Sequence, residues 1–305
     1  MYHGVLVALT PSILPAAPAS LAEAEAYFLA RRAGPPDAAA AGEAAMRWAL
    51  GDALPAWPAL LHAAQAIGAA VERHGAGFPP GAEPAYHDRH HQAEAGLAMG
   101  WLCGAARAAG LLSAEQAGIG VLAMAGHDLL HDGTETGPPG RLEAQSAAAT
   151  AAIAAASGVV PATAALVHDL ILSTEFTRPL GPELLPHLAR EADLMGSLCP
   201  VLGWRLSEAL AAERRAAGHP APDHVASFAG RLGFLHILPT ATPIGVGFGL
   251  EAAGRAQIAA FGRAAQRLGL IDTAPDAAAA ALDRLPRDQA RALYDAALAQ
   301  SEGGA

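Results

Sequence analysis

The stretch SAEQAGIGVLAMAGHDLLHDG, residues 113–133, carries most of the information about the fold of this chain. It opens on Ser113, and Gln116 follows at the spacing of a capping box, in which the two side chains close the first turn of a helix. Alanine, the best helix former, recurs through the stretch. We therefore predict a helix over residues 113–131, and this helix ends in the sequence His-Asp-Leu-Leu-His, which carries three polar side chains.

The rest of the chain has the same character. Of its 305 residues, 52% are hydrophobic but only 5% are aromatic, because alanine supplies much of the apolar count. Such a composition favours closely packed helices over a sheet, and we expect an all-α multi-helix bundle. Helical patterns cover residues 20–32, 41–74 (interrupted near Pro55 and Pro58), 86–110, 113–131, 141–158, 161–176, 183–217, 223–238, 250–268 and 275–300.

Stretches dense in glycine and proline divide the chain. Residues 75–84 and the glycine-rich segment 244–249 are such breaks. We predict a catalytic core over residues 81–245, an N-terminal helical extension over 1–80 and a C-terminal one over 246–305. The extensions could serve a homodimer, a lid or simple packing, and the sequence leaves all three open.

The charge of the chain limits its partners. The formal net charge is −10, so we expect no nucleic-acid partner. All 19 basic residues are arginine, which excludes a P-loop lysine, a Schiff-base lysine and a Ser-Lys dyad. If an acidic protein acts on an anionic substrate, it needs a local positive centre, and a pair of metal ions would supply one.

Cysteine usage and hydropathy indicate the compartment. Cys103 and Cys199 are the only cysteines, which fits a reducing environment and excludes both a disulfide scaffold and a CxxC zinc site. The apolar run at the N-terminus lacks a basic region and is too short for a signal peptide. No segment approaches the roughly 20 unbroken apolar residues of a membrane span. We expect a cytoplasmic protein with no membrane partner.

Histidines spaced four residues apart are the strongest functional signal. On a helix such residues share a face, so we predict that His87 lies above His91 and that His127 lies above His131. Asp128 falls on a neighbouring line, and a third helix would bring Asp193. Two helices that each offer paired imidazoles can build a metal site between them.

Two other histidines lie close to this pattern. The phase of His90 on its helix is wrong, and we expect it to point away from the site. His168 and Asp169 form a second His-Asp pair, but their helix carries no imidazole four residues on. We therefore leave both histidines out of the metal site.

At these motifs the chain resembles a known family. The order His…His-Asp…Asp is similar to that of the HD-domain metal-dependent phosphohydrolases, and the finer pattern resembles the catalytic domain of class I cyclic nucleotide phosphodiesterases. The resemblance covers roughly residues 86–240. It is carried by Tyr-His-Asp-Arg-His-His at 86–91, His-Asp-Leu-Leu-His-Asp-Gly at 127–133, Ser-Thr-Glu-Phe at 173–176 and Ala-Asp at 192–193. Asp88 stands where the family has asparagine, and Glu135 falls near its second asparagine.

The resemblance implies a role for each matching residue and two divalent metal ions (Zn, Mg or Mn, with Fe as an option). Asp128 would bridge to a second metal held largely by water, and His131 would orient that water. His87 would be the general acid, and a neighbouring carboxylate, for which Glu175 is a candidate, would keep it protonated. Glu143 and Thr174 would support the site. The ligands of the tighter metal would be His91, His127, Asp128 and Asp193.

The substrate implied is a small anionic phosphoester, foremost a 3',5'-cyclic nucleotide. Tyr86, Arg231 and Phe234 are the candidate substrate contacts. The family reads a purine with glutamine, in a Gln-x-Gly-Phe pattern, whereas this chain has Arg231-Leu232-Gly233-Phe234. Arginine only donates hydrogen bonds, so it would favour a substrate with a second anionic or carbonyl group.

Three functions compete on this sequence. The first is a metal-dependent phosphodiesterase that attacks its substrate with a metal-bridged hydroxide. The second is a di-iron oxygenase on the same fold, in which His131 and His168 would supply further ligands. The third is a binding module that senses a phosphorylated ligand without turnover, and the retention of His87 argues against it.

Overall fold

The computed structural model describes residues 15–134, 137–175 and 178–300. Within these ranges the chain forms α-helices, two short 3-10 segments and loops, and no strand. The prediction of an all-α bundle is therefore confirmed. The predictions that concern Glu135, Phe176 and the apolar N-terminal run lie outside the described residues.

Fourteen α-helices make up the described part of the chain. The 3-10 segments are Gly51–Ala56 and Pro222–Ala226. The helices are α1 Leu21–Arg32, α2 Ala38–Leu50, α3 Pro58–Ala76, α4 Arg89–Ala108, α5 Ala114–Gly126, α6 Arg141–Ala156, α7 Pro161–Leu172, α8 Leu184–Leu198, α9 Leu202–Ala216, α10 Phe228–Ile237, α11 Pro243–Phe248, α12 Leu250–Arg267, α13 Pro275–Leu282 and α14 Arg287–Ala299.

Three predicted helices are shorter in the structure than the sequence patterns indicated. The helix expected over 183–217 is broken at Pro200, and the one over 275–300 is broken before Pro286, because proline has no backbone N–H to donate and disfavours helix in the residue before it. The capping box at Ser113 and Gln116 is present as predicted. The helix that it opens is shorter than predicted, since α5 ends at Gly126.

Helices α4 and α5 form the centre of the molecule. In α4, 14 of 20 residues are buried, and in α5 all residues from Ala117 to Gly126 are buried. Helix α4 packs against α2, α5 and α8. Small residues let these helices approach closely: a Cβ on Gly100 of α4 would lie 2.6 Å from the Cα of Ala45 in α2. The two backbones are therefore in direct contact.

Helices from both predicted extensions share this core. Helix α12 packs against α8 as well as against α13 and α14. The rings of Trp204, Phe228, Phe261 and Tyr294 meet edge to face or tilted and fill the space between these helices. Buried residues from Leu21 to Ala297 form one continuous cluster. The three-part division of the chain stays a prediction.

Helix α1 is tied to two helices of the core by charged contacts. The Arg32 guanidinium donates to both carboxylate oxygens of Glu94 in α4, at 2.6 and 2.9 Å. Glu25 accepts from the backbone N–H groups of Val201 and Leu202 at the start of α9, at 2.7 and 2.8 Å. None of the described helices is both long enough and apolar enough to span a bilayer.

Candidate metal centre

The first turn of α4 places His91 in the core. Asp88 is the N-cap residue of this helix, and its carboxylate accepts from the backbone N–H of His91 at 2.7 Å. The carboxylate at position 88 therefore has a structural role as a helix cap. The prediction that His87 and His91 stack on one helix is wrong, because α4 begins only at Arg89 and His87 lies in the preceding loop.

The end of α5 fixes the orientation of His127. This residue is the C-cap of α5, and its Nδ1 lies 2.9 Å from the carbonyl oxygen of Met124. A carbonyl only accepts, so Nδ1 carries the proton and the lone pair of the neutral ring is on Nε2. A backbone carbonyl often holds a metal-binding histidine in this way.

Four side chains converge beside that Nε2 atom. The Nε2 atom of His127 lies 3.1 Å from Oδ2 of Asp128 and 3.2 Å from Oδ1 of Asp193. The Nε2 atom of His91 lies 3.2 Å from the same Asp193 oxygen and 3.5 Å from Oδ2 of Asp128. The structure thus brings together the four residues predicted as metal ligands, which come from α4, the end of α5 and α8.

The electrostatics of this group favour a bound cation. Burial opposes ionisation of Asp193, but the hydrogen bonds and charges of His127 and His91 outweigh it and hold the pKa of the Asp193 carboxyl below its usual range. Burial opposes the charge on His91, yet its contacts with Asp128 and Asp193 raise the pKa of His91 to about 9. The buried Asp128 and the half-buried Asp193 thus stabilise positive charge at this point, and His91, His127 and Asp193 could hold a metal ion.

A second group of ligand atoms lies next to the first. His87, His131 and Glu213 bring one ligand atom each to within 4.8 Å of one another, so this group could also hold a metal ion. The rings of His87 and His131 stack face to face with their centroids 3.6 Å apart. Because two charged imidazoles repel each other at this distance, at most one of the two rings carries charge.

Glu213 organises His87. One oxygen of its carboxylate lies 2.6 Å from Nδ1 of His87, and the other accepts from the backbone N–H groups of Tyr86 and His87 at 2.9 and 3.1 Å. Burial raises the pKa of Glu213, but these contacts with His87 outweigh it and lower that pKa to about 2. The carboxylate beside His87 is therefore Glu213, and not Glu175 as the sequence predicted.

His131 differs from His87 in where its proton lies. Its Nδ1 accepts from the backbone N–H of Gly133 at 3.1 Å, so the neutral ring carries its proton on Nε2. Burial, followed by the charge of the stacked His87, lowers the pKa of His131 to about 4. His131 is thus a neutral ring near pH 7 with an Nε2–H to donate.

The Tyr86 ring contacts a histidine of each of the two ligand groups. Its ring centroid lies 4.8 Å from that of His91 and 4.7 Å from that of His87, and its hydroxyl lies 2.9 Å from Oγ of Ser197. Burial, followed by the charge of Asp193, raises the pKa of Tyr86 well above its usual range. Tyr86 therefore contacts the site as a neutral phenol.

Arg231 is a structural residue, and the prediction that it contacts substrate is wrong. Its side chain is only 1% exposed. The guanidinium donates to the carbonyl oxygens of Ser197, Leu198 and Cys199 at the end of α8, and to Oε1 of Gln257. These carbonyls have no partner within their own helix, so Arg231 caps α8 from inside the core.

Phe234 packs beneath this arginine. The guanidinium carbon of Arg231 lies 5.3 Å from the Phe234 ring centroid. The half-buried ring also packs against the hydrophobic core. Its predicted contact with a planar substrate ring stays a prediction.

This buried role of Arg231 can be tested by replacing it with methionine. We expect Arg231→Met to destabilise the fold by about 2–4 kcal/mol, because it removes the donor to the Ser197 carbonyl and to the buried Oε1 atom of Gln257. The KM of any substrate should not change. Thermal denaturation and steady-state kinetics on the same sample measure both effects. A raised KM at an unchanged Tm would return Arg231 to the substrate site.

The three predicted supporting residues belong to neither ligand group. The Thr174 hydroxyl donates to the carbonyl of Ile171 at 2.8 Å. Arg190 donates to the backbone carbonyl of Glu175 at 3.0 Å, and the Glu175 carboxylate lies in the field of the same arginine. Glu143 is half-buried in the first turn of α6. The supporting roles of Glu143 and Thr174 stay predictions, whereas Glu213 occupies the place beside His87 that was expected for Glu175.

The other histidines near the motif lie apart from both groups. His168 bonds Asp169 at 3.1 Å on the surface of α7, and neither residue is in a ligand group. His90 is half-buried and is likewise in neither group, in line with the prediction for it. The surface position of His168 removes it as a ligand for a second metal.

Glu213 is the residue of the site that the sequence analysis missed. It lies in α9, seven residues after the buried Leu206 and therefore on the same face of the helix. A carboxylate in the buried phase of an amphipathic helix is the signal that could have identified it, since such a group needs a partner inside the protein.

Comparison of the chain with protein-family models, with curated proteins and with solved structures found no match. What the protein does must therefore be inferred from the site itself.

Proposed function

We propose that this protein is a metal-dependent phosphohydrolase, and more narrowly a phosphodiesterase that hydrolyses a 3',5'-cyclic nucleotide or a related small phosphodiester. One observation carries the proposal: a group of four candidate metal ligands, three of them buried, adjoins a histidine that is paired with a buried carboxylate. The ligands are His91, His127, Asp128 and Asp193, and the pair is His87 with Glu213. Phosphoester hydrolysis needs both a cation and a proton donor.

The ligand group would hold the cation. Neutral imidazole nitrogen and carboxylate oxygen suit zinc and related divalent metals. A cation bound there would polarise a phosphoryl oxygen and lower the pKa of a water molecule. It would also give this acidic protein, of net charge −10, a local attraction for an anionic substrate.

His87 would supply the proton to the leaving oxygen. Its Nδ1 faces Glu213 at 2.6 Å, so Nε2 is the atom that can exchange a proton with substrate. The Glu213 carboxylate holds the ring in this orientation, and histidine is the side chain that most often serves as a general acid. His131 stacks on the other side and would donate its Nε2–H to a phosphoryl oxygen without changing its own protonation.

The proposed compartment is the cytoplasm. The two cysteines, Cys103 and Cys199, are both free and buried. Free thiols fit a reducing environment. The proposed substrates, cyclic nucleotides or similar small phosphodiesters, would be hydrolysed in that compartment.

A second candidate is oxidation at a di-iron site. It is favoured by the second ligand group, because His87, His131 and Glu213 could hold a further metal beside the first. In that case His87 would be a ligand and not an acid. Iron as the bound metal, together with oxygen consumption, would distinguish this function from hydrolysis.

Hydrolysis is tested with the purified protein, stripped of metal and reloaded separately with Mn²⁺, Mg²⁺ or Zn²⁺. We expect metal-dependent cleavage of bis(p-nitrophenyl) phosphate and of cAMP or cGMP, with elemental analysis run on the same samples. Bound metal without turnover on any of these would favour a phospho-ligand-binding module or, if the metal is iron, oxidation. Failure to bind metal would remove both hydrolysis and oxidation.

A further inference from the structure

Two buried hydroxyls of α6 contact the turn that carries His127 and Asp128. Thr150 donates from Oγ1 to the carbonyl oxygen of Gly126 at 2.9 Å, and Ser146 accepts at Oγ from the backbone N–H of Leu130 at 3.0 Å. Both side chains are completely buried. The two contacts lie on either side of the metal ligands, one just before His127 and the other two residues after Asp128.

These hydroxyls stand out within their own helix. Helix α6 is rich in alanine, and Ser146 and Thr150 lie four residues apart on one face of it. A hydroxyl in a helix commonly bonds a carbonyl one turn earlier, as Ser157 does with Ile153 in this chain. Ser146 and Thr150 instead reach across to another segment.

Gly126 allows α6 to approach this turn closely. A Cβ on residue 126 would lie 2.3 Å from Oγ1 of Thr150. Only glycine leaves room for this hydroxyl. The carbonyl of Gly126 also accepts from the backbone N–H of Leu129 at 3.2 Å, so the Thr150 hydroxyl is a second donor to an oxygen that already belongs to the turn.

We propose that Ser146 and Thr150 are positioning residues of the metal centre: they fix the backbone of the 127–130 turn, so that the His127 and Asp128 side chains point at one cation. The inference rests on the proposed function, since it assumes that these residues bind metal. Neither hydroxyl contacts a ligand atom, and both act through the backbone. A preorganised ligand set binds metal more tightly than one that must be ordered on binding.

The test compares two buried threonines that contact opposite ends of the same helix. Thr150→Val removes the hydroxyl at the end of α5. Thr163→Val is the control, because Thr163 is also buried and its hydroxyl bonds Glu115 at the start of α5, at 2.7 Å. The Kd for Zn²⁺ is measured by competition with a chelator, and the Tm of each metal-free protein is measured alongside.

We expect Thr150→Val to weaken Zn²⁺ binding roughly tenfold to a hundredfold, the usual loss when a group that orients a ligand is removed. Thr163→Val should lower the Tm of the metal-free protein and leave the Kd unchanged. Thr150→Ser keeps the hydroxyl and should restore most of the affinity. If Thr150→Val fails to fold, Ser146→Ala carries the same test from the other contact.

Two results would overturn the inference in distinguishable ways. Equal Kd values for wild type, Thr150→Val and Ser146→Ala would show that the hydroxyls only stabilise the fold, and the metal site would stand without them. A wild-type protein that binds no Zn²⁺ would remove the metal site, and the positioning role with it.

Discussion

Asp128→Asn is expected to lower the rate of phosphodiester hydrolysis by roughly a thousandfold or more, since a catalytic metal contributes several kcal/mol to the transition state. The substitution keeps the shape of the side chain and removes its charge. Its carboxylate lies within 3.5 Å of both ligand imidazoles and is almost fully buried. Bound metal, measured by elemental analysis after dialysis, should fall together with activity.

The sequence offers a matched control for this experiment. Asp169 also follows a histidine directly, but it is exposed and pairs with His168 at the surface. Asp169→Asn should therefore keep both metal and activity. Loss of metal from the Asp169 variant, or full activity in the Asp128 variant, would show that the first ligand group is not the catalytic centre.

His87→Ala is expected to keep the metal and to lose turnover according to the leaving group. A general acid contributes about a hundredfold to ten-thousandfold, and the loss should be largest for cAMP, whose leaving alkoxide needs a proton. Bis(p-nitrophenyl) phosphate has a good leaving group and should lose far less. The measurement is the ratio of the two rates in wild type and variant, with metal content determined in parallel.

His90→Ala is the control for this result, because His90 is three residues away and belongs to neither ligand group. If Glu213 acts through His87, Glu213→Gln should keep the metal and lose more turnover on cAMP than on bis(p-nitrophenyl) phosphate, because the His87 ring loses the carboxylate that orients it. Full activity of His87→Ala on cAMP would remove the acid assignment. Loss of metal from His87→Ala would instead make His87 a ligand, as the di-iron function requires.

The helices could be predicted from the sequence because local signals determine them. Alanine content, the Ser113 capping box and the proline breaks all act within a few residues, and the observed helices follow them. The exception is the glycine-rich segment 244–249, which was predicted as a break and lies largely in helix α11. The prediction failed where a helix began later than expected, because this changed which side chains share a face. The i,i+4 spacing of His87 and His91 indicated a shared helix, but Asp88 caps the helix between them, and a cap residue competes with helix continuation at that point.

The convergence of His91, His127, Asp128 and Asp193 could be predicted because their order along the chain is distinctive, whereas the partner of His87 could not. Glu213 is 126 residues from His87 in sequence, and only the packing of α9 brings them together. Arg231 was misassigned for the converse reason. Its place in the Arg-Leu-Gly-Phe sequence indicated a surface pocket that binds substrate. In the structure it is the buried donor to the carbonyls at the end of α8. No local sequence pattern distinguishes these two environments.

The contact between Gly100 and Ala45 has a consequence for how this protein tolerates mutation. Where two backbones touch, no side chain lies between them to adjust, and an added methyl group must displace a whole helix. Helix α4 also carries His91, in its first turn. Harmful substitutions should therefore be frequent at small residues far from the candidate metal centre. In the alanine-rich core, few substitutions should be neutral.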